Sequence, residues 1–355
     1  MSTQQQSLIL PTANAELERS LRERIDRRAV AVGGLGELEP LALRLGLVQN
    51  SLTPRFRDPV LALFAADHGL AVDGVAKPFG RSTRELALMA LARQLPSATF
   101  AHVHGLALHV VDCGIAEAMP PHAALMSRRI AHGTRNARVG AAMTLDQAHA
   151  GVRVGMEIAD SLGGNVLACA GMGQGSAEAA ALVLSQLVDL PVQDFVISGP
   201  DMRQDELAPL MNVLAGAQAR HRELRDAMDL LAAYGGFETA VMVGAMLVAA
   251  SKRSLIIVDG LAACAALKIA ARVAAPVTDY AVFCRSHGHR GLDEALATFH
   301  ASALLELGMD CVDGTGAALA WPMLRSAAAL LTELHEPYDT RAVHRAALPV
   351  LDDPA

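Results

Sequence analysis

Aromatic residues are scarce: eight Phe, three Tyr and one Trp make up 3% of 355 residues. The core must therefore be filled mostly by Ala, Leu, Val and Met, the side chains of closely packed helices against buried strands. Cationic surplus is missing as well. Thirty Lys and Arg stand against 37 Asp and Glu, a formal net charge of -7, which excludes a general nucleic-acid binder because nothing is available to displace counterions. The basic runs that exist, Arg22 to Arg28 and Arg128-Arg129, are broken by acids or apolar residues and read as solvated helix faces. No C-x-x-C pair occurs among Cys113, Cys169, Cys264, Cys284 and Cys311. That spacing suggests neither a zinc knuckle nor a secreted disulfide framework, and it fits a reducing cytoplasm. The first ten residues carry no basic segment followed by an apolar one, so they do not read as a signal peptide. The apolar run from Ala240 to Ala250 is too short for a membrane span and is followed by Ser251, Lys252 and Arg253.

What the chain does have is apolar residues, 52% of the total, and a length that suits one large α/β domain or a large one plus a small one. Short apolar runs end repeatedly in polar or glycine-rich clusters. Val60 to Ala66 runs into Asp67-His68-Gly69, Ala107 to Val111 into Asp112-Cys113-Gly114, Val166 to Ala170 into Gly171-Met172-Gly173, and Ser254 to Val258 into Asp259-Gly260. Each run predicts a buried strand feeding a loop at its C-terminal end. Alanine-rich helical stretches alternate with them: Thr83 to Leu95, Leu145 to Leu162, Glu178 to Leu187, Phe237 to Ala250 and Ala262 to Ala271. This alternation predicts an α/β fold, a Rossmann-like parallel sheet with helices on both faces. Ligands bind such sheets beyond the carboxyl ends of the strands, so the four clusters should share one rim. Residues 14 to 49, interrupted by Gly33-Gly34-Leu35-Gly36, and residues 317 to 336 read as flanking helices able to pack together as a small helical domain.

The segment Met309 to Ala318 places Asp313 directly before Gly314-Thr315-Gly316 and a helix start. Two glycines let backbone N–H groups approach a phosphate, and the helix N-terminus adds a favourable dipole. Asp313 then suits a proton acceptor beside an anion. An acid before such a turn also serves as a plain turn former or helix cap. The histidines His102, His104, His109, His287 and His289 lack the acidic or cysteine partners of a metal site, and no metal is expected.

In order and spacing the clusters resemble the nicotinate-nucleotide:dimethylbenzimidazole phosphoribosyltransferase family. The likeness is carried by Ala66-Asp67-His68-Gly69, Val111-Asp112-Cys113-Gly114-Ile115, Ala131-His132-Gly133-Thr134-Arg135-Asn136, Gly235-Gly236-Phe237-Glu238, Val258-Asp259-Gly260 and Asp313-Gly314-Thr315-Gly316-Ala317-Ala318-Leu319-Ala320. The resemblance implies a large domain over 55–316 and a small helical domain from 1–54 and 317–355. It also implies a cytoplasmic homodimer, no cofactor, and transfer of phosphoribose from nicotinate mononucleotide to a ring nitrogen of an aromatic base. Such a reaction needs a carboxylate for the base's proton, an apolar slot for its ring and donors for the 5′-phosphate. On this likeness Asp313 is the catalytic base, and Pro78, Leu86, Met89 and Cys311 form the base slot. Gly173, Gly175, Ser176, Gly236, Asp259, Gly260, Gly314, Thr315 and Gly316 hold phosphoribose. Asp67, His68, Arg285 and His287 touch the phosphate or support the groups that do.

The chain departs from the family at specific positions. Asp313 stands where the family has a glutamate, shorter by roughly 1.5 Å of reach, so the acceptor must sit deeper or the backbone must shift. Gly171 replaces a second glutamate, and Ser176-Ala177-Glu178 replaces Asn-Thr-Thr. Pro78 and Leu86 replace a serine and a glutamine, which makes the slot more apolar. Leu210 and His287 fall on a lysine and a serine that help the phosphate; Arg285 and its neighbours could restore some positive charge. These changes imply an enzyme for an altered aromatic or phenolic acceptor. The alternative they leave open is a catalytically weakened paralogue that binds a nucleotide or aromatic ligand, alone or as one subunit of a hetero-oligomer.

Overall fold

The computed structural model describes residues 9–29, 33–75, 80–196, 204–221, 223–288 and 290–335. Helices α1 (Ala15–Ala29) and α2 (Leu38–Gln49) precede strand β1 (Val60–Ala66). Helices α3 (Thr83–Leu91) and α4 (Pro96–His104) lead to β2 (Ala107–Gly114) and β3 (Leu125–Ser127), and α5 (Leu145–Ser161) leads to β4 (Val166–Met172). Helices α6 (Ser176–Val188), α7 (Gln204–Arg220), α8 (Ala227–Tyr234) and α9 (Phe237–Ser251) lie between β4 and β5 (Leu255–Asp259). Helix α10 (Leu261–Val273), β6 (Ala281–Cys284), α11 (Arg290–Ala297) and α12 (Thr315–Thr332) follow.

The strands form one sheet in the order β3-β2-β1-β4-β5-β6, and every neighbouring pair is parallel. Val60 lies opposite Ala107 on one side and Leu167 on the other. β1 and β5 are buried at every residue, which is why their sequences are apolar runs without alternation. The chain leaves β1 towards β2 on one side and later fills the other side with β4. The reversal of strand order therefore falls between β1 and β4, where doubly wound sheets open a crevice.

Helix packing explains the small-residue composition. A Cβ added at Gly155 of α5 would sit 1.8 Å from the Val241 carbonyl oxygen of α9, so these two helices touch backbone to backbone. The helix expected from Thr83 to Leu95 stops at Leu91, and α4 begins beyond the expected range. Pro96 opens α4, and Leu95 before it is extended at φ -96°, ψ 145°, because a residue preceding proline is pushed out of the helical region. Strands β3 and β6 are too short, at 3 and 4 residues, to stand out as apolar runs.

The chain divides into two compact units, Met1–Thr12 with Phe56–Pro322, and Ala13–Arg55 with Met323–Ala355. The first contains the sheet. In the second, Leu21 of α1 packs against Gly46 of α2. Arg24 and Arg28 donate to the carbonyls of Leu331 and Leu330 at 3.0 and 2.7 Å, tying α1 to the end of α12.

Candidate active site

A cleft of about 120 Å³ opens at the carboxyl ends of the central strands. Its floor is Gly171, Met172 and Gly173 at the end of β4, and Leu86 of α3 forms a wall. Ser176 and Ala177 bring the N-terminus of α6 to it, and Leu261 and Ala262 that of α10. His287, Cys311, Val312 and Asp313 close the rim. Two helix N-termini thus face one small volume, each presenting backbone N–H groups without an intrahelical acceptor and the positive end of a dipole. Among the described lining residues Asp313 carries the only carboxylate.

Asp313 is held by an internal anion. Asp259, fully buried at the end of β5, accepts through Oδ2 from Gly314 N at 2.9 Å, Ala317 N at 2.8 Å and Ser286 Oγ at 2.8 Å. Gly316 N donates to Ser286 Oγ at 2.8 Å, and Thr315 Oγ1 to the Val312 carbonyl at 2.8 Å. The amides of the Gly314-Thr315-Gly316 turn, which the sequence suggested for a phosphate, are therefore spent inside the protein: Gly314 N on the Asp259 carboxylate, Gly316 N on the Ser286 hydroxyl and Thr315 N on the Val312 carbonyl at 3.3 Å. Burial, and then the charge of Asp313, push the Asp259 pKa up to about 6. Its Oδ1 is buried without a hydrogen bond.

The carboxylate of Asp313 lies over Gly260, whose φ is +90°; a Cβ there would sit 2.0 Å from Asp313 Oδ2. On the other side His287 Nε2 is 3.0 Å from Asp313 Oδ1. Burial pulls the His287 pKa down, but Asp313 together with Asp259 and Asp310 outweighs it, so the net direction is up.

Behind the α6 terminus, His68 Nε2 and Ser176 Oγ meet the same oxygen, Glu238 Oε1, at 3.0 and 2.9 Å. Ser176 donates its proton inward, leaving its lone pairs for donors in the cleft. Burial depresses the His68 pKa, yet the Glu238 carboxylate overrides it and the net shift is upward. Glu238 is wholly buried with Oε2 lacking a hydrogen-bond partner. It belongs to a quoted motif, but nothing local marks it as the partner of a histidine 170 positions away. A Cβ at Gly236 would collide with Glu238 and His68, and one at Gly175 with His68; both glycines make room for this pair.

Asp67, Arg285 and Met89 are not part of the cleft lining. Asp67 accepts from Thr83 Oγ1 and from Ala116 N, fixing the start of α3 to the end of β1. Arg285 pairs with Asp293 and with Glu306, so its guanidinium is committed to carboxylates. Met89 sits half-buried on α3 away from the lining. Pro78 lies outside the described residues. Among the described residues no group of three or more His, Cys, Asp or Glu could hold a metal ion, and no helix is long and apolar enough to cross a membrane.

Residues 10–340 match a family model described as phosphoribosyltransferase. A nicotinate-nucleotide–dimethylbenzimidazole phosphoribosyltransferase of Cupriavidus taiwanensis is 40% identical over 328 residues, covering 92% of this chain and 95% of the relative. One of the same name from Variovorax paradoxus is 39% identical over 314 residues, 88% and 90% of the two chains. The crystal structure of the Thermus thermophilus protein of that name superposes with a TM-score of 0.82 at 29% identity, over 90% of this chain and 96% of that one.

Proposed function

The chain belongs to the nicotinate-nucleotide:dimethylbenzimidazole phosphoribosyltransferase family, and from that premise we propose how its cleft carries out the reaction. The enzyme is a pentosyltransferase. It moves phosphoribose from nicotinate mononucleotide to a ring nitrogen of a flat aromatic base, releases nicotinate, inverts the anomeric carbon and supplies the lower ligand of a cobamide. Asp313 takes the acceptor's N–H proton as the nitrogen lone pair attacks C1′ and the C1′–nicotinate bond breaks. The N-termini of α6 and α10 draw the phosphate without a lysine. Burial raises the Glu178 pKa, and the charge of His68 opposes that rise. Leu86, Leu261, Ala262 and Val312 supply an apolar wall for the ring. Because few lining side chains can hydrogen-bond the acceptor, the slot suits dimethylbenzimidazole-like and still less polar acceptors.

The observation that carries this reading is a single lining carboxylate, Asp313, that shares one cleft with the N-terminal residues of α6 and α10. Its test is nicotinate release from nicotinate mononucleotide with a panel of benzimidazoles, purines and phenols. Release with at least one acceptor is expected; none with any of them, while a relative works alongside, overturns the reading. The same proposal makes the protein a cytoplasmic homodimer, and light scattering of the pure protein checks the dimer.

A further inference from the structure

We propose that His287 and Asp313 act as one proton-holding pair at the cleft, so that the acceptor's proton is shared with the imidazole instead of resting on the carboxylate alone. This rests on the phosphoribosyl-transfer reading and adds to it a residue of this chain. The two side chains approach at 3.0 Å from opposite segments as an ion pair, Asp313 Oδ1 being buried without a hydrogen bond, and both line the cleft. With side chains 24% and 15% exposed, the pair can reach both a bound acceptor and solvent.

The approach is built into the backbone. Residues His287 and Asp310 form an antiparallel bridge, and Cys311 N donates to the Ser286 carbonyl at 3.0 Å. Gly316 N donates to the Ser286 hydroxyl. The segment after β6 and the segment before α12 are thus fastened on both sides of the pair, and Gly260, having no side chain, makes room for Asp313 Oδ2. The charged and titratable groups that face the pair are Asp259 and Asp310, with Cys264 behind them. Both acids favour a proton on the imidazole, in keeping with its raised pKa.

In the reaction the ring nitrogen's lone pair forms the new bond to C1′, and the bond pair to nicotinate leaves with nicotinate. The N–H pair stays in the acceptor ring. Its proton passes to Asp313 and then to Nε2 of a neutral His287, which becomes imidazolium beside a regenerated carboxylate and later gives the proton to solvent. No oxidant or other reactant is needed.

Two measurements test this. In the kcat/KM profile for nicotinate release, the wild-type acid limb is expected above the ordinary histidine value of about 6.5. His287→Gln should move it into the carboxylate range and lower kcat/KM about tenfold at neutral pH, with little change in KM for nicotinate mononucleotide. His287→Asn keeps a donor towards Asp313 but cannot carry a proton. If Asn matches wild type at every pH, or if the Gln limb stays where it was, the proposal is overturned. Independently, NMR titration of the His287 ring, identified by its loss in His287→Gln, should show a midpoint that falls in Asp313→Asn. An unchanged midpoint overturns the pair whatever the activity. Absence of nicotinate release from wild type would instead sink the phosphoribosyl reading and leave the NMR result to decide the pair.

Discussion

Asp259 Oδ2 receives the backbone N–H of Gly314 at 2.9 Å, and this bond fixes the turn on which Asp313 stands. With Ala317 N and Ser286 Oγ on the same oxygen, Asp259→Ala would strand three buried donors and is expected to lower unfolding free energy by about 3 kcal/mol or more. Asp259→Asn keeps an oxygen for the three donors and should fold nearly as well. The two variants also differ from wild type in pH dependence. A carboxyl whose native pKa lies near 6, above its unfolded value of about 3.9, stabilises most below the unfolded value. Its contribution is lost as pH rises through about 6. Urea unfolding from pH 4 to 7 should show that loss in wild type and a flatter profile in Asp259→Asn.

The buried His68–Glu238 pair is expected to matter more for folding than for chemistry. His68→Ala leaves a carboxylate at 0% side-chain exposure without its cation, a change expected to cost roughly 3–5 kcal/mol. His68 has a native pKa raised above its ordinary value, so its stabilisation is complete below about 6.5 and is lost as pH rises through the higher native value. Denaturant midpoints at pH 6 and pH 9 should therefore diverge in wild type and converge in the Ala variant. A wild type equally stable at both would show that the pair does not hold its proton.

Much of the architecture is legible because buried parallel strands announce themselves as apolar runs. Four such runs are β1, β2, β4 and β5, and their endings share one rim. Helices α4, α7, α8 and α11 do not stand out in the sequence, and α3 ends at Leu91, short of the expected Leu95, because local periodicity does not register the extended residue that Pro96 imposes. The site is only partly legible. Asp313, His287, Leu86, Cys311, Gly173 and Ser176 converge on the cleft, whereas Met89 and Arg285 do not line it. Sequence position alone does not show that Arg285 meets Asp293 and Glu306. Nor does it show that the turn before α12 is filled by Asp259. Such choices are made by long-range geometry among groups that look alike in the sequence.

Gly260→Ala probes the placement of Asp313. The new Cβ would fall 2.0 Å from Asp313 Oδ2 at a φ of +90°, so the carboxylate must swing away and the backbone takes on strain of about 1–3 kcal/mol. Since the obstructed atom ends a side chain, folding should survive while nicotinate release falls by about a hundredfold. Thermal unfolding beside the activity assay checks this. Retained activity would mean that the position of Asp313 is not critical.

Gly171, the residue that stands where the resemblance has a glutamate, cannot simply be reverted. A Cβ there would lie 2.5 Å from the Cβ of Ala262 and 3.4 Å from Ser176 Oγ. The start of α10 has closed over the space that a longer side chain at this strand end would need. Gly171→Glu alone should therefore destabilise by about 1–3 kcal/mol through overpacking, and it should block the cleft floor. Adding Ala262→Gly removes the colliding methyl and should recover most of the folding loss, although the new glycine in the first turn of α10 forfeits up to about 1 kcal/mol of helix propensity. A double-mutant cycle on unfolding free energy measures the coupling. Coupling near zero would mean that α10 shifts freely, and that Gly171 is then a choice made for the ligand and not for packing.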